Sequence, residues 1–139
     1  MNMTFFRKLQ ASWQKNRSLV CVGLDPDIRR IPNPLKSERQ PLLAFNRAII
    51  DATADLVCAF KPQAAYYQAI GAEEELSQTI AYIRERYPQI PEILDAKRGD
   101  IGPTATQYAR EVFDRYQADA VTVNPYMGSD TLQSTAVQL

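Results

Sequence analysis

Histidine is absent from the 139 residues. That removes Ser-His-Asp and Cys-His catalysis, and every metal site that needs an imidazole. Cysteine is scarce, with only Cys21 and Cys58 present. Two thiols cannot build a four-cysteine zinc site and offer no disulfide framework. Both sit in apolar runs, which predicts small buried hydrophobes, kept reduced in a cytoplasmic protein. Net charge is missing too, because 16 basic residues balance 16 acidic ones. A generic binder of nucleic acid or of membrane surfaces would carry a basic excess, so neither partner is expected. No apolar run approaches the ~18–20 residues that span a bilayer. The opening segment MNMTFFRKLQASWQKN has no unbroken apolar core and no small-residue cleavage site, so it does not read as a secretory signal.

What is present is ordinary globular composition: 45% hydrophobic and 23% charged residues, which excludes a disordered tail. The length suits a single domain over residues 1–139. Phe6, Leu9 and Trp13 predict a short first helix with one apolar face, ending at Asn16. Leu19 to Leu24 is an apolar run of strand length that ends at Asp25-Pro26. Three prolines, at 26, 32 and 34, predict a loop from Asp25 to Pro34. Pro41 suits a helix first turn, with Leu42, Phe45, Ile49 and Ala52 on one face. The pattern then recurs. Leu56 to Phe60 is a second apolar run, ending at Lys61-Pro62, and Leu76, Ile80, Ile83 and Tyr87 follow at helical spacing. Ile93 to Lys97 is a third strand candidate. Pro103 opens a helix with Ala105, Tyr108, Val112 and Tyr116 on one side. Ala120 to Val123 is a fourth strand ending at Asn124-Pro125, and a last helix starts near Ser129 or Asp130 and runs to the chain end.

The order is therefore one helix, then about four strand–helix units. Apolar strands alternating with helices imply a parallel sheet covered by helices. An open doubly wound sheet and part of a (β/α)8 barrel both fit that order. The strand ends favour the barrel. Each run finishes in a polar residue: Asp25, Lys61, Asp95 with Lys97, and Asn124. In a barrel those ends converge on one mouth. Asp95 and Lys97 are two apart, so they share a face of their strand. Buried charge there is costly unless it lines a site. A doubly wound sheet would more often show a glycine-rich phosphate turn after its first strand, and Asp25-Pro26-Asp27 is neither GxGxxG nor a Walker A motif.

The segment Asp95-Ala96-Lys97-Arg98-Gly99-Asp100 has the form D-x-K-x-x-D at a strand end, with Lys61 at the preceding one. Together with Val22-Gly23-Leu24-Asp25, Phe60-Lys61-Pro62-Gln63 and Asn124-Pro125-Tyr126-Met127-Gly128, it resembles orotidine 5'-phosphate decarboxylase, in its longer bacterial subgroup. The resemblance runs from about Leu19 to the end. It implies a (β/α)8 TIM barrel of which this chain is the N-terminal half. It also implies a carboxy-lyase that converts orotidine 5'-phosphate to UMP with no metal and no organic cofactor. Lys97 would then donate the proton to C6, Asp95 would sit beside the departing carboxylate, and Lys61 would balance Asp95 and bond the ribose. Asp100 would reach into a neighbouring subunit's site, since such enzymes are homodimers with shared sites. Asp25 would bind ribose hydroxyls. Ile101 and Thr104 would line the partner's pyrimidine and ribose. Gln63 and Asn124 would contact substrate as well.

The chemistry suits these residue types independently. Losing CO2 from C6 leaves a carbanion with no adjacent carbonyl sink, so its stabilisation must be electrostatic and preorganised. An ammonium between carboxylates stays protonated and can both stabilise and quench that carbanion. Two other readings remain. Related sugar-phosphate decarboxylases and synthases share D-x-K-x-x-D but bind magnesium, with an acidic residue near the second strand end, where this sequence has Lys61. Alternatively, 139 residues form half a barrel without its phosphate contacts, which in the resemblance lie after later strands, and the chain is not active alone. Tyr66, Tyr67 and Tyr126 read as packing under loops, with lining of a pyrimidine pocket as the alternative, and Arg98 reads as a surface or interface charge, with a phosphate contact as the alternative.

Overall fold

The computed structural model describes residues 4–136. It begins with α1 (Phe5–Asn16), β1 (Cys21–Leu24), α2 (Asn33–Lys36), α3 (Pro41–Thr53) and β2 (Ala59–Pro62). There follow α4 (Ala64–Gln68), α5 (Glu73–Arg86), β3 (Ile93–Arg98) and α6 (Gly102–Arg110), which runs into a π-helical turn (Glu111–Arg115). β4 (Ala120–Val123), a 3-10 turn (Pro125–Met127) and α7 (Ser129–Ala136) complete the order. The expected run of the last helix to the chain end falls on residues 137–139, outside the described residues, as do Met1 to Met3.

β1 pairs parallel with β2, from Cys21 opposite Ala59 to Leu24 opposite Pro62. β3 pairs parallel with β4. Parallel bridges from Phe60 to Glu92 and from Gln63 to Asp95 join β2 to β3. The spatial order is thus 1-2-3-4 without reversal. That is the arc of a (β/α) barrel, because a doubly wound sheet reverses its strand order at a switch point. The C-terminal strand ends lie side by side along one rim.

Helices pack outside this arc. Leu76, Ile80 and Ile83 of α5 are completely buried, against Leu42, Tyr67 and Leu94 at one end and Ile50, Phe60 and Ile90 at the other. Each such side chain contributes about 1.5–3 kcal/mol by leaving water. No helix among the described residues is long and apolar enough to cross a membrane.

Several local expectations are corrected. The predicted loop after β1 contains α2, with Pro34 in its first turn, where a missing N–H costs nothing. The second strand begins at Ala59 rather than Leu56. α3 ends in a turn whose Ala54 and Val57 carbonyls accept from Asn16 Nδ2 at 2.9 and 2.7 Å, leaving Leu56 exposed. Lys61 accordingly lies inside β2 instead of after it. In α3 the buried stripe is Leu42, Leu43, Asn46 and Ile50, and Ala52 is exposed. Asn46 tolerates full burial because its amide donates to the Tyr67 hydroxyl (2.8 Å) and to Thr79 (3.0 Å). Tyr87 falls just outside α5, and its hydroxyl bonds Asp51. Cys58 is buried as predicted, but Cys21 is exposed, on the face of β1 opposite the helix-packed Val22 and Leu24.

The first helix follows its apolar pattern only in part, with Leu9 and Trp13 half-buried. Phe6 is 60% exposed and meets Trp13 edge to face, while Lys8 and Ser12 are buried. The Lys8 ammonium is hydrogen-bonded to Asp119, one residue before β4, and lies 3.5 Å from Glu92 Oε2, one residue before β3. Two carboxylates under the N-terminal strand ends therefore draw a charged face of α1 inward. Burial and the neighbouring Asp119 carboxylate push the Glu92 carboxyl up to about 8, against the lowering influence of Lys8.

Candidate active site

Three of the predicted charges meet at the rim. Asp95 on β3 is nearly buried. Its Oδ2 accepts from Lys61 Nζ on β2 at 3.0 Å, and its Oδ1 accepts from Lys97 Nζ at 2.7 Å. Adjacent parallel strands put Lys61 and Asp95 side by side, while β3 itself supplies Lys97. Burial alone would raise the Asp95 carboxyl. Hydrogen bonds from Lys97, Thr122 and Lys61 outweigh it and hold that group well below the usual carboxylate range. For Lys61, burial lowers the pKa, and the hydrogen bond and charge of Asp95, with Asp25 and Cys21, more than offset it, so the net shift is upward. Asp95 and Lys61 are thus an ionised pair over the whole neutral range.

Gln63 also reaches Asp95, its Nε2 donating to Oδ2 at 2.9 Å. Its amide is already engaged by the charged cluster rather than free at the rim. Thr122 on β4 was not singled out in the sequence. Its hydroxyl donates to Asp95 Oδ1 at 2.7 Å and accepts the Lys97 backbone N–H at 3.0 Å.

Lys97 has a left-handed backbone, φ 48°, where a side chain costs roughly 1–2 kcal/mol. The pairing of β3 with β4 shifts there: Leu94 faces Val121, and Arg98 faces Val123. The Asn124 N–H then bonds the Arg98 carbonyl at 2.7 Å. This approach is close enough that a Cβ on Gly99 would lie 2.5 Å from the Asn124 oxygen, so only glycine fits.

Asp25 follows β1 and borders a cleft of about 260 Å³, with Arg30, Ile31, Phe45 and Tyr66 among its other walls. Lys61, Asp95 and Lys97 lie outside those walls, so the cleft adjoins the charged cluster without containing it. Asp27 beside it is held down to about 2 by hydrogen bonds from Arg29. Asp100 stands apart from the cluster. Its carboxylate accepts the Ile101 N–H at 2.8 Å, and Ile101 is 54% exposed. Thr104 lies in the first turn of α6, half-buried. The Asn124 side chain caps the 3-10 turn by accepting the Tyr126 N–H.

Tyr67 packs as expected, whereas Tyr66, Tyr126 and Arg98 depart from expectation. Tyr67 is core, and its hydroxyl donates to the Leu24 carbonyl at 3.0 Å. Tyr66 lines the cleft, and Tyr126 is 92% exposed. Arg98 is no surface charge. Its guanidinium makes a two-pronged bond to Glu111 at 2.9 and 2.8 Å and lies over the Tyr108 ring. Among the described residues, no three His, Cys, Asp or Glu side chains gather as a metal site.

A sequence profile of the orotidine 5'-phosphate decarboxylase/HUMPS family matches residues 18–139. The chain is 63% identical over 131 residues to an orotidine 5'-phosphate decarboxylase of Ralstonia nicotianae, covering 94% of this chain and 48% of that protein. It is 61% identical over 132 residues to one of Cellvibrio japonicus, with the same coverage. The chain thus spans about half the length of these relatives. Among solved structures it superposes on Leishmania donovani OMP decarboxylase with a TM-score of 0.81 and 36% identity, covering 97% of this chain and 50% of that one. On Leishmania donovani UMP synthase the TM-score is 0.83 at 38% identity, covering 98% and 28%.

Proposed function

The chain belongs to the orotidine 5'-phosphate decarboxylase/HUMPS family, and from that premise we propose that the protein carrying it removes CO2 from orotidine 5'-phosphate to give UMP. The observation that carries this reading is the Lys61–Asp95–Lys97 chain of hydrogen bonds at the strand ends. It sets cation, anion and cation in a row at the rim where a barrel does its chemistry.

Asp95 is ionised and nearly buried. Placed beside the substrate carboxylate, it raises the ground state by like-charge repulsion. The C6–carboxylate bond breaks, its electron pair stays on C6, and CO2 leaves. The Lys97 ammonium stabilises that pair and then gives C6 its proton, becoming neutral until solvent reprotonates it. Lys61 balances Asp95 and bonds the ribose, while Asp25 takes ribose hydroxyls across the adjoining cleft. Gln63 serves the same rim by holding Asp95, and Asn124 by shaping the turn after β4. Asp100, Ile101 and Thr104 serve a second subunit's site in a homodimer. The bond of Asp100 to its neighbour Ile101 rather than to the cluster, and the exposure of Ile101, support that assignment. The enzyme is assigned to the cytoplasm, in keeping with two free thiols.

No step needs a metal or an organic cofactor. Lys61 argues against magnesium here, because its ammonium already occupies Asp95 and would repel a divalent cation. The test is decarboxylation of orotidine 5'-phosphate by the full-length protein in EDTA. Undiminished turnover supports the reading. Loss of activity on chelation, restored by Mg2+, would assign the site to the sugar-phosphate relatives instead.

A further inference from the structure

The Lys97 side chain is 64% exposed, so packing does not fix it. Something else must hold a proton donor to the tolerance that chemistry needs. On β3, Asp95, Ala96 and Lys97 lie between Leu94 and Arg98. On β4, Thr122 alone lies between their partners Val121 and Val123. This bulge takes Lys97 out of the regular ladder and gives it its left-handed backbone. Its N–H loses a main-chain acceptor in the process. The Thr122 hydroxyl supplies one at 3.0 Å and passes its own proton to Asp95 Oδ1 at 2.7 Å. The same Oδ1 accepts from Lys97 Nζ at 2.7 Å. One hydroxyl therefore closes a ring that runs through the Lys97 backbone, its ammonium and the Asp95 carboxylate.

We propose that Thr122 is a positioning residue that fixes Lys97 against Asp95 by bonding both the Lys97 main-chain N–H and the carboxylate that holds the Lys97 ammonium. A strand valine would fill the same volume and provide neither bond. Serine would provide both. The Arg98 guanidinium, clamped by Glu111 and Tyr108, anchors the chain directly after the bulge, so the bulge survives loss of the hydroxyl while Lys97 within it loosens.

The kinetic arm of this inference rests on the proposed decarboxylation, and a second arm does not. In the full-length protein, Thr122→Val is expected to lower kcat ~10–100-fold and to leave KM within ~3-fold, as for a misplaced group that acts in the transition state. Thr122→Ser is expected to restore kcat to within ~3-fold of the parent. Amide hydrogen exchange at Lys97 should be slow in the parent and in Thr122→Ser, and ~10-fold or more faster in Thr122→Val. Parental kcat in Thr122→Val, equal impairment of the serine and valine variants, or unchanged Lys97 exchange would each overturn the proposal. If the parent does not decarboxylate orotidine 5'-phosphate, the functional reading fails. The exchange pattern still decides the role of Thr122 on its own.

Discussion

Lys61 and Lys97 share one carboxylate: Lys61 holds Asp95 Oδ2 at 3.0 Å, and Lys97 holds Oδ1 at 2.7 Å. The two ammoniums come from different strands and are kept on opposite oxygens of the anion between them. In the proposed reaction this division would let one cation remain a fixed counter-charge while the other gives up a proton.

Replacing the second cation tests that division. Lys97→Ala is expected to lower kcat by ~10³-fold or more, because it removes both the proton and the charge that stabilises the carbanion. The fold should persist, since the side chain is mostly exposed and the Lys61–Asp95 pair remains. Far-UV circular dichroism and a decarboxylation assay on the same sample check both halves. A variant that retained a sizeable fraction of the parental kcat would remove Lys97 from the proposed role.

At the opposite end of the strands, Glu92 makes a prediction about pH. Its carboxyl is raised from an ordinary 4.5 to about 8 in the folded chain, by burial and by Asp119. Between those values the folded state binds a proton that the unfolded state has released. Stability from this group is therefore complete below about 4.5 and is lost as pH rises through about 8. Thermal midpoints of the parent should fall across that window, and those of Glu92→Gln should fall less. Identical pH profiles would mean that the Lys8–Glu92–Asp119 cluster does not hold the extra proton.

These two ends were unequally legible in the sequence. Asp95, Lys97 and Lys61 stood out because charge follows an apolar strand run, and such a break has few purely structural causes. The parallel pairing followed from the alternation of apolar runs and helices, while the unreversed strand order followed only from the polar strand ends that favoured a barrel. Thr122 was hidden because Val-Thr-Val reads as ordinary β-branched strand sequence, and a bulge leaves no mark on periodicity. Asn46 and Lys8 were hidden for a related reason. A polar residue buried with partners from distant segments contradicts the hydrophobic pattern of its own helix, and only the tertiary fold supplies the partner. Arg98 looked like a surface charge until α6 and its π-helical turn brought Tyr108 and Glu111 beside it.

The loop after β3 carries a prediction about assembly. Asp100 bonds its neighbour Ile101 rather than the charged cluster of its own chain, and its carbonyl accepts from the Thr131 hydroxyl of α7. If Asp100 serves a second subunit, then full-length Lys97→Ala and Asp100→Ala proteins should each be nearly inactive. Mixed under conditions that exchange subunits, they should regain up to about a quarter of parental activity per subunit, because random pairing makes half the dimers mixed and each mixed dimer carries one intact site of two. Native mass spectrometry would establish that mixed dimers form. Persistent inactivity of confirmed mixed dimers would place Asp100 in its own subunit's site or outside any site.

The last prediction concerns a polypeptide of these 139 residues expressed alone. Among the described residues β1 pairs only with β2, and β4 only with β3, so the arc has two open edges. Next to β1, Leu19 and Val20 are 80% and 55% exposed, and every residue of β4 is half-buried at most. Unpaired N–H and C=O groups beside exposed apolar side chains are a template for pairing with another chain. Such a polypeptide should self-associate, seen as excess light scattering or a multimeric peak on size exclusion. It should also turn over orotidine 5'-phosphate poorly even with Lys61, Asp95 and Lys97 in place. Binding energy from a remote phosphate helps to position the reacting end, and loss of such contacts lowers the rate of the chemical step as well as affinity. Full turnover by a monodisperse monomer would show that residues within this half of the arc can anchor the phosphate, and Arg30 beside the Asp25 cleft would be the first side chain to replace.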